Sequence, residues 1–165
     1  MANRRVEEEI ERLSALREAG SGPATMAALR KALGGRIGLV VAKAAKVAAE
    51  LEAREVVPQL VGAFERMFEN PVERDPQCWA KNAIAKALTA MDYRESEPYL
   101  RGARHVQMEP VWGGQEDSAT TLRGICLLGL VTCSDVRRET IFRVLVDAMA
   151  DASRDVRAEI GRAHV

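Results

Sequence analysis

Length, composition and charge already limit what this chain can be. Its 165 residues are enough for one domain, and 47% apolar with 29% charged residues is a globular composition, not a disordered one. The 24 basic side chains are balanced by 24 acidic ones, which argues against a dedicated nucleic-acid binder because such proteins usually carry a basic excess. No apolar run is long enough to cross a bilayer, and the early glutamates do not suit a targeting signal. We therefore expect a cytoplasmic protein without membrane contact.

Helical periodicity runs through almost the whole chain, and no alternating pattern predicts a strand. The first helix is expected from about residue 4 to residue 19, with Asn3 as its N-cap and Gly20 as its end. Residues 1–20 are therefore interpreted as an N-terminal capping helix. Further helical segments fill residues 21–159, and they begin with SGPATMAALRKALGG, RIGLVVAKAAKVAAELEA, EVVPQLVGAFERMFENP and DPQCWAKNAIAKALTAM.

These helices recur in pairs with a period near forty residues. When four of the segments are aligned on a basic residue, the aligned positions are 38, 42 and 34 residues apart. An aspartate precedes three of the four basic residues by six positions. Two helices per unit at this period are typical of an α-solenoid. The aligned basic residues are Lys43, Lys81, Arg123 and Arg157, and the aspartates are Asp75, Asp117 and Asp151.

The paired helices, the turn aspartate, the basic residue and the alanine-rich run that follows resemble the HEAT-repeat family. The resemblance covers residue 23 to the end of the chain. It implies an all-α fold, a right-handed α-α superhelix of about four helical hairpins. It also implies that the aspartates and basic residues form a structural ladder along the stack: Asp75, Lys81, Asp117, Arg123, Asp151 and Arg157. The chain departs from the pattern at Ile37, which stands six residues before Lys43 where the aspartate is expected. It also departs at Gly124 and Gly129, where alanine is usual.

The last six residues, IGRAHV, read differently from the rest. They can be encoded by ATC GGA AGA GCA CAC GTC, which resembles the start of a common sequencing adapter that continues into a stop codon. We therefore expect residues 160–165 to be a non-native tail on a fragment, with no function for His164. The last repeat would then expose an apolar face at Val156 and Ile160, which predicts fraying or self-association.

The long connection HVQMEPVWGGQEDSA is the best candidate for a binding loop. Met108, Val111 and Trp112 are apolar residues near its Gly-Gly turn. Loops on a rigid scaffold often carry recognition, and tryptophan is favoured at binding hot spots. A second interpretation stays open, in which Trp112 folds back and fills a gap between repeats.

Lysines on the inner helices offer another candidate surface. Lys43, Lys46, Lys81 and Lys86 lie on the segments expected to line the concave face. Two interpretations of these basic residues stay open: a stripe that binds an anionic ligand, and members of the structural ladder.

Little in the sequence indicates an enzyme. Cys78, Cys126 and Cys133 form no CxxC pair, so they are interpreted as reduced thiols, and no metal or cofactor is expected. His105 has no recognisable nucleophile beside it, and the carboxylates of the loop are interpreted as solvated. We expect a protein-protein interaction scaffold that binds an unknown protein on its concave face or through the 106–117 loop. The alternative is a HEAT-like nucleic-acid-binding or modifying module that uses the lysine-bearing helices.

Overall fold

The computed structural model describes residues 2–161, with side chains from residue 4 onward. About 70% of it is helical, which confirms the all-α class. The predicted tail lies mostly outside the described residues, because residues 162–165, and His164 with them, are not described.

The helices follow the predicted order, although the first begins earlier than expected. Helix α1 begins at Ala2, so Asn3 lies within its first turn rather than at the position before the helix. The helices are α1 (Ala2–Ala19), α2 (Pro23–Leu33), α3 (Gly38–Glu50), α4 (Val57–Arg66), α5 (Pro71–Arg74), α6 (Trp79–Ala90), α7 (Ser96–Ala103), α8 (Thr120–Val131), α9 (Arg138–Ala148) and α10 (Arg154–Ile160). Short 3-10 turns span Arg54–Val56 and Pro76–Cys78, and two strands are β1 (Met108–Val111) and β2 (Gly114–Asp117).

The helices pack in consecutive pairs, each leaning on the next. The pairs are α2 with α3, α4 with α6, α7 with α8, and α9 with α10. The second helices of the pairs form one row, in which α3 contacts α6, α6 contacts α8, and α8 contacts α10. Helix α1 covers the free side of α3 at the start of the row. The right-handed superhelical path stays a prediction.

Small side chains make the centre of the row. Alanines are buried all along the facing sides of α3 and α6, and they let the two helix backbones approach closely. Glycine does the same in the third pair, where an added Cβ at Gly129 would lie 2.4 Å from the Tyr99 ring. An added Cβ at Gly124 would similarly lie 2.9 Å from the Glu159 side chain. The glycines that depart from the alanine pattern are therefore places of close approach.

The register between the first two repeats differs from the predicted one. Burial along residues 41–50 matches burial along residues 81–90 almost position by position, which is an offset of 40. Val41 therefore occupies the position of Lys81, and Lys46 that of Lys86. The alignment of Lys43 with Lys81 was wrong, because matching the basic residues shifted the apolar positions out of phase.

The long connection before α8 forms a β-hairpin, so the expectation of no strand was wrong. Its antiparallel register pairs Met108 with Asp117 and Val111 with Gly114. Trp112 and Gly113 make the turn, where Gly113 has φ +91°, a conformation that glycine adopts without steric cost. Strands of four residues, one of them containing a proline, show too little alternation to be recognised in the sequence.

Candidate interaction site

The first rung of the predicted ladder is a fully buried ion pair. The Nζ atom of Lys81 lies 2.9 Å from Oδ2 of Asp75, and neither side chain has any exposed surface. Asp75 also accepts hydrogen bonds from the backbone N–H groups of Ala80 and Lys81, so it caps the first turn of α6. Lys81 donates a further hydrogen bond to the carbonyl of Met67. Lys81 therefore cannot contact a partner, and its predicted place in the binding stripe was wrong.

The second rung links two repeats through Arg123. The guanidinium donates to Asp117 of its own repeat at 2.6 Å and holds Asp151 of the next repeat through two hydrogen bonds at 2.8 and 3.0 Å. Arg157 is exposed, and among the described residues its hydrogen bonds go to the backbone carbonyls of Asp151 and Ala152. Of the three basic residues predicted for the ladder, Arg123 is therefore the one whose hydrogen bonds join two repeats within the described structure.

A buried polar cluster ties the hairpin to the start of α6. The Oε1 atom of Glu109 accepts three hydrogen bonds of 2.6 Å, from the N–H of Gln77, the side-chain amide of Gln107 and the hydroxyl of Ser118. Gln107 also donates to the carbonyl of Asp75 at 2.9 Å. The turn at Gln77 and Cys78 has positive φ at both residues, a costly conformation that these bonds hold in place. Glu109, which was interpreted as a solvated carboxylate, is instead a structural residue that only the folded chain reveals.

The same hydrogen bonds keep these carboxyl groups ionised. Burial alone would raise the pKa of Asp117, but the hydrogen bonds from the Gln107 N–H, the Arg123 guanidinium and the Ala119 N–H outweigh it and lower that pKa. Burial would likewise raise the pKa of Glu109, and its hydrogen bonds again lower it. The cluster therefore favours the charged state of both groups at neutral pH.

The cysteines and His105 show no sign of catalytic activation. Burial raises the pKa of Cys78 to about 11 and that of Cys133 to about 11, and it raises the pKa of Cys126 as well, so the thiols stay protonated and weakly nucleophilic. Burial lowers the pKa of His105, although its hydrogen bond to Gln107 opposes the shift. Within residues 2–161, no group of three potential metal-binding side chains converges.

The hairpin presents the loop residues that the sequence singled out. Trp112 at the turn is fully exposed, at 104% of its reference area, so it does not fill a gap between repeats. Met108 and Val111 on β1 are exposed as well. Met108 and Val111 lie on opposite faces of the hairpin, because successive side chains of a strand alternate between its two faces. We call the exposed end of the hairpin, with Trp112 at its tip, the hairpin surface.

A groove between α3 and α6 forms the second candidate surface. Its cavity measures about 430 Å³ and its floor is mostly alanine, with Trp79 half-exposed at 51%. Lys46 and Lys86 border it, and neither contacts an acidic side chain in the described part of the protein. The side-chain oxygen of Asn82 is buried beside them without a hydrogen-bond partner. We call this cavity the inner groove.

Two more cavities lie between the inner groove and α1, and each shares a wall with the cavity before it. The neighbouring one, of about 310 Å³, lies over the start of α3 and has Trp79 as a common wall. The next, of about 400 Å³, lies between α1 and α3 and shares Arg36 and Ile37 with its neighbour. Apolar residues, Val6 and Val40 among them, line the outermost cavity.

The structure thus separates the predicted binding residues. Lys86 lines the inner groove, Lys43 is half-buried on α3 outside the groove lining, and Lys81 is buried on another side of α6. The sequence missed Trp79 and Asn82. Two signals could have found them: both are out of phase with the buried positions of α6, and tryptophan on an open helix face is unusual.

An apolar stripe on α9 is also exposed near the end of the chain. Phe142, Val146 and Met149 follow one another at helical spacing and are half-exposed or more. This stripe, rather than Val156, which is fully buried, is the apolar surface that the last repeat presents. Self-association through it stays a prediction.

Comparisons with known proteins give no relative from which a function could be inferred. No protein-family model, curated protein or solved structure matches the chain. Across the described residues, no helix has both the length and the apolar character that crossing a bilayer requires.

Proposed function

We propose that this protein is a HEAT-like interaction scaffold of the cytoplasm that binds a segment of a partner protein in the inner groove. The observation that carries the proposal is Trp79, half-exposed in a groove between two lysines that form no ion pair among the described residues. The row of helix pairs supports it as well, because such rows present extended surfaces for binding.

Trp79 has the physical character of a binding anchor. An indole ring offers a large apolar area with few rotatable bonds, so burying it under a partner costs little conformational entropy. The alanine core beneath α3 and α6 keeps the groove in shape, and a rigid groove needs little rearrangement to bind.

The hairpin surface is a second candidate. Trp112 projects fully into solvent from a hairpin that the Glu109 cluster braces against the body of the protein. A braced aromatic residue of this kind can also anchor a partner. A test of the proposal therefore has to distinguish Trp79 from Trp112.

Nucleic acid is the other class of ligand to distinguish. The free lysines of the inner groove could contact phosphates, in the way that the alternative interpretation of the sequence expects. Single-stranded nucleic acid usually needs several aromatic residues on which successive bases stack. Among the described residues, Trp79 is the one aromatic side chain that lines the inner groove, which favours a protein segment.

The chain contains two tryptophans, one on each candidate surface, and this makes a direct experiment possible. A library of random twelve-residue peptides displayed on phage is selected against the immobilised protein. Selected peptides are then titrated into Trp112→Phe, in which Trp79 is the sole fluorophore, and into Trp79→Phe, in which Trp112 is.

We expect peptide binding to change the emission of Trp79 and not that of Trp112. Trp79→Ala should weaken the affinity by roughly tenfold or more, as removal of a buried tryptophan anchor does, and Trp112→Ala should leave it unchanged. The opposite pattern would transfer the function to the hairpin surface. Failure to enrich any peptide would overturn the proposal.

A further inference from the structure

We infer that the ligand is an acidic protein segment in extended conformation, which runs from the inner groove across the two neighbouring cavities to α1. This inference rests on the proposed function and adds the chemistry and the path of the ligand to it. Two separate observations support it, the shared walls of the cavities and the distribution of unpaired charge.

The three cavities form one path along the protein. Trp79 separates the inner groove from the middle cavity, and Ile37 separates the middle cavity from the one beside α1. Both side chains are about half-exposed, so each is a low ridge rather than a closed wall. An extended chain places every second side chain on the same side, and this spacing would allow alternate residues to enter the cavities on either side of each ridge.

Within the described structure, the side chains along this path that carry a charge without an ion-pair partner are mostly basic. Five basic side chains line the cavities without an ion-pair partner among residues 2–161: Arg5, Lys31, Arg36, Lys46 and Lys86. The acids beside them are mostly occupied, because Glu9 pairs with Arg12 and Glu50 pairs with Arg17.

Asp75 is likewise occupied by Lys81, which leaves Glu73 as the acid of the path that forms no ion pair in the described structure. The whole chain is neutral, so this excess is local. A local excess of one sign attracts a ligand of the opposite sign and raises its rate of association.

The lining of the cavities indicates a protein rather than a nucleic acid. Val6, Ala32 and Val40 line the outermost cavity, and alanines line the inner groove. These apolar surfaces suit aliphatic side chains, while the basic residues suit carboxylates. A segment that mixes acidic and aliphatic residues satisfies both.

The experiment uses the full chain and a fluorescein-labelled peptide of twelve residues in which pairs of glutamates alternate with pairs of aliphatic residues, so that each face of the extended peptide carries both kinds. Binding is followed by fluorescence anisotropy at low and moderate ionic strength. We expect saturable binding that weakens with salt, and no binding of the same peptide with lysine in place of glutamate.

The path of the ligand is tested with one charge reversal at Arg36, which lines both the middle cavity and the cavity beside α1. Arg36→Glu should weaken binding of the acidic peptide roughly three- to tenfold, because it replaces an attraction with a repulsion. Arg143→Glu is the matched control, since it makes the same charge change on an exposed residue of α9 and should have no effect. Equal melting temperatures for the two variants and the original protein confirm that both are folded.

Each other result rejects a particular statement. If Trp79→Ala weakens binding and Arg36→Glu does not, the extended path is wrong while the proposed function stands. If the lysine peptide binds as well as the glutamate peptide, the acidic ligand is wrong. If a twelve-nucleotide single-stranded DNA displaces the acidic peptide at a lower concentration than the unlabelled peptide does, the ligand is a nucleic acid instead. If neither Trp79→Ala nor Arg36→Glu changes the affinity for the acidic peptide, the proposed function fails as well.

Discussion

Helix α6 carries two lysines whose surroundings are opposite. Lys81 has no exposed surface, pairs with Asp75 and lies 5.6 Å from the centre of the Phe68 ring. Lys86, five positions later, is exposed at the rim of the inner groove and forms no ion pair among the described residues. Five residues turn a helix by about 140°, so the two side chains leave it on different sides. Position on the helix, rather than residue type, therefore separates the structural cation from the candidate binding cation.

The comparison also shows which sequence signal carried information. An aspartate precedes Lys81 by six residues, and that aspartate both caps the helix and neutralises the lysine. Lys86 has no such aspartate before it. A basic residue with its own turn aspartate is thus a structural candidate in this chain, and one without it is a candidate for binding.

Removing the buried lysine should have the largest effect. Lys81→Ala leaves the carboxylate of Asp75 buried without its counter-charge, and we expect it to lower the free energy of unfolding by about 3–5 kcal/mol. Lys86→Ala, the matched control on the same helix, should change it by less than about 0.5 kcal/mol. Urea denaturation followed by circular dichroism measures both. Equal effects of the two substitutions would contradict the contrast between the two sides of α6.

The bridge between the third and fourth repeats should come next. Asp151→Ala removes the carboxylate that two hydrogen bonds join to Arg123, and we expect a loss of about 1–3 kcal/mol. Asp147→Ala removes an exposed carboxylate from α9 and serves as the control. The same denaturation measurement applies. A loss no greater than that of the control would show that Arg123 is satisfied by Asp117 alone.

The Glu109 cluster should link the hairpin to the inner groove. Glu109→Ala frees the N–H of Gln77, and we expect a loss of about 1–2 kcal/mol together with altered emission of Trp79, which begins α6 two residues later. The measurement is made in the Trp112→Phe background so that Trp79 alone reports. Glu109→Gln keeps an acceptor oxygen and should restore most of the stability. Unchanged Trp79 emission in Glu109→Ala would mean that the hairpin does not position the groove.

Acid should weaken the same cluster, with a smaller effect near neutral pH. Asp117 has a pKa lowered from its ordinary value of 3.8, so its folded state favours the carboxylate. Its contribution to stability is complete above that ordinary value and is lost as the pH falls through the lowered folded-state pKa. We expect the melting temperature of Asp117→Asn to depend less on pH below 4 than that of the original protein. Parallel curves would show that Asp117 does not contribute to acid unfolding.

The sequence predicted the helices well because their signals are local and repeated. The apolar period, the prolines near helix starts and the turn aspartates each act within a few residues, so one chain displays them. The strands of the hairpin are too short to show a pattern, and the Glu109 cluster depends on contacts between residues about thirty positions apart, such as Glu109 with Gln77. A local sequence pattern does not predict such contacts. Trp79 was missed for a related reason, because its exposure depends on the packing of α3 against α6.

The smallest effect should come from the most exposed aromatic residue. Trp112 is fully exposed, so Trp112→Ala removes no apolar area that folding buries, and we expect the melting temperature to change by less than about 2 °C. Differential scanning calorimetry measures this. A fall of more than about 4 °C would mean that the indole packs against the protein in solution, and the hairpin surface would then lose its anchor. The half-exposed Trp79 provides the comparison. Trp79→Ala removes some buried apolar area, so it should lower the melting temperature more than Trp112→Ala does.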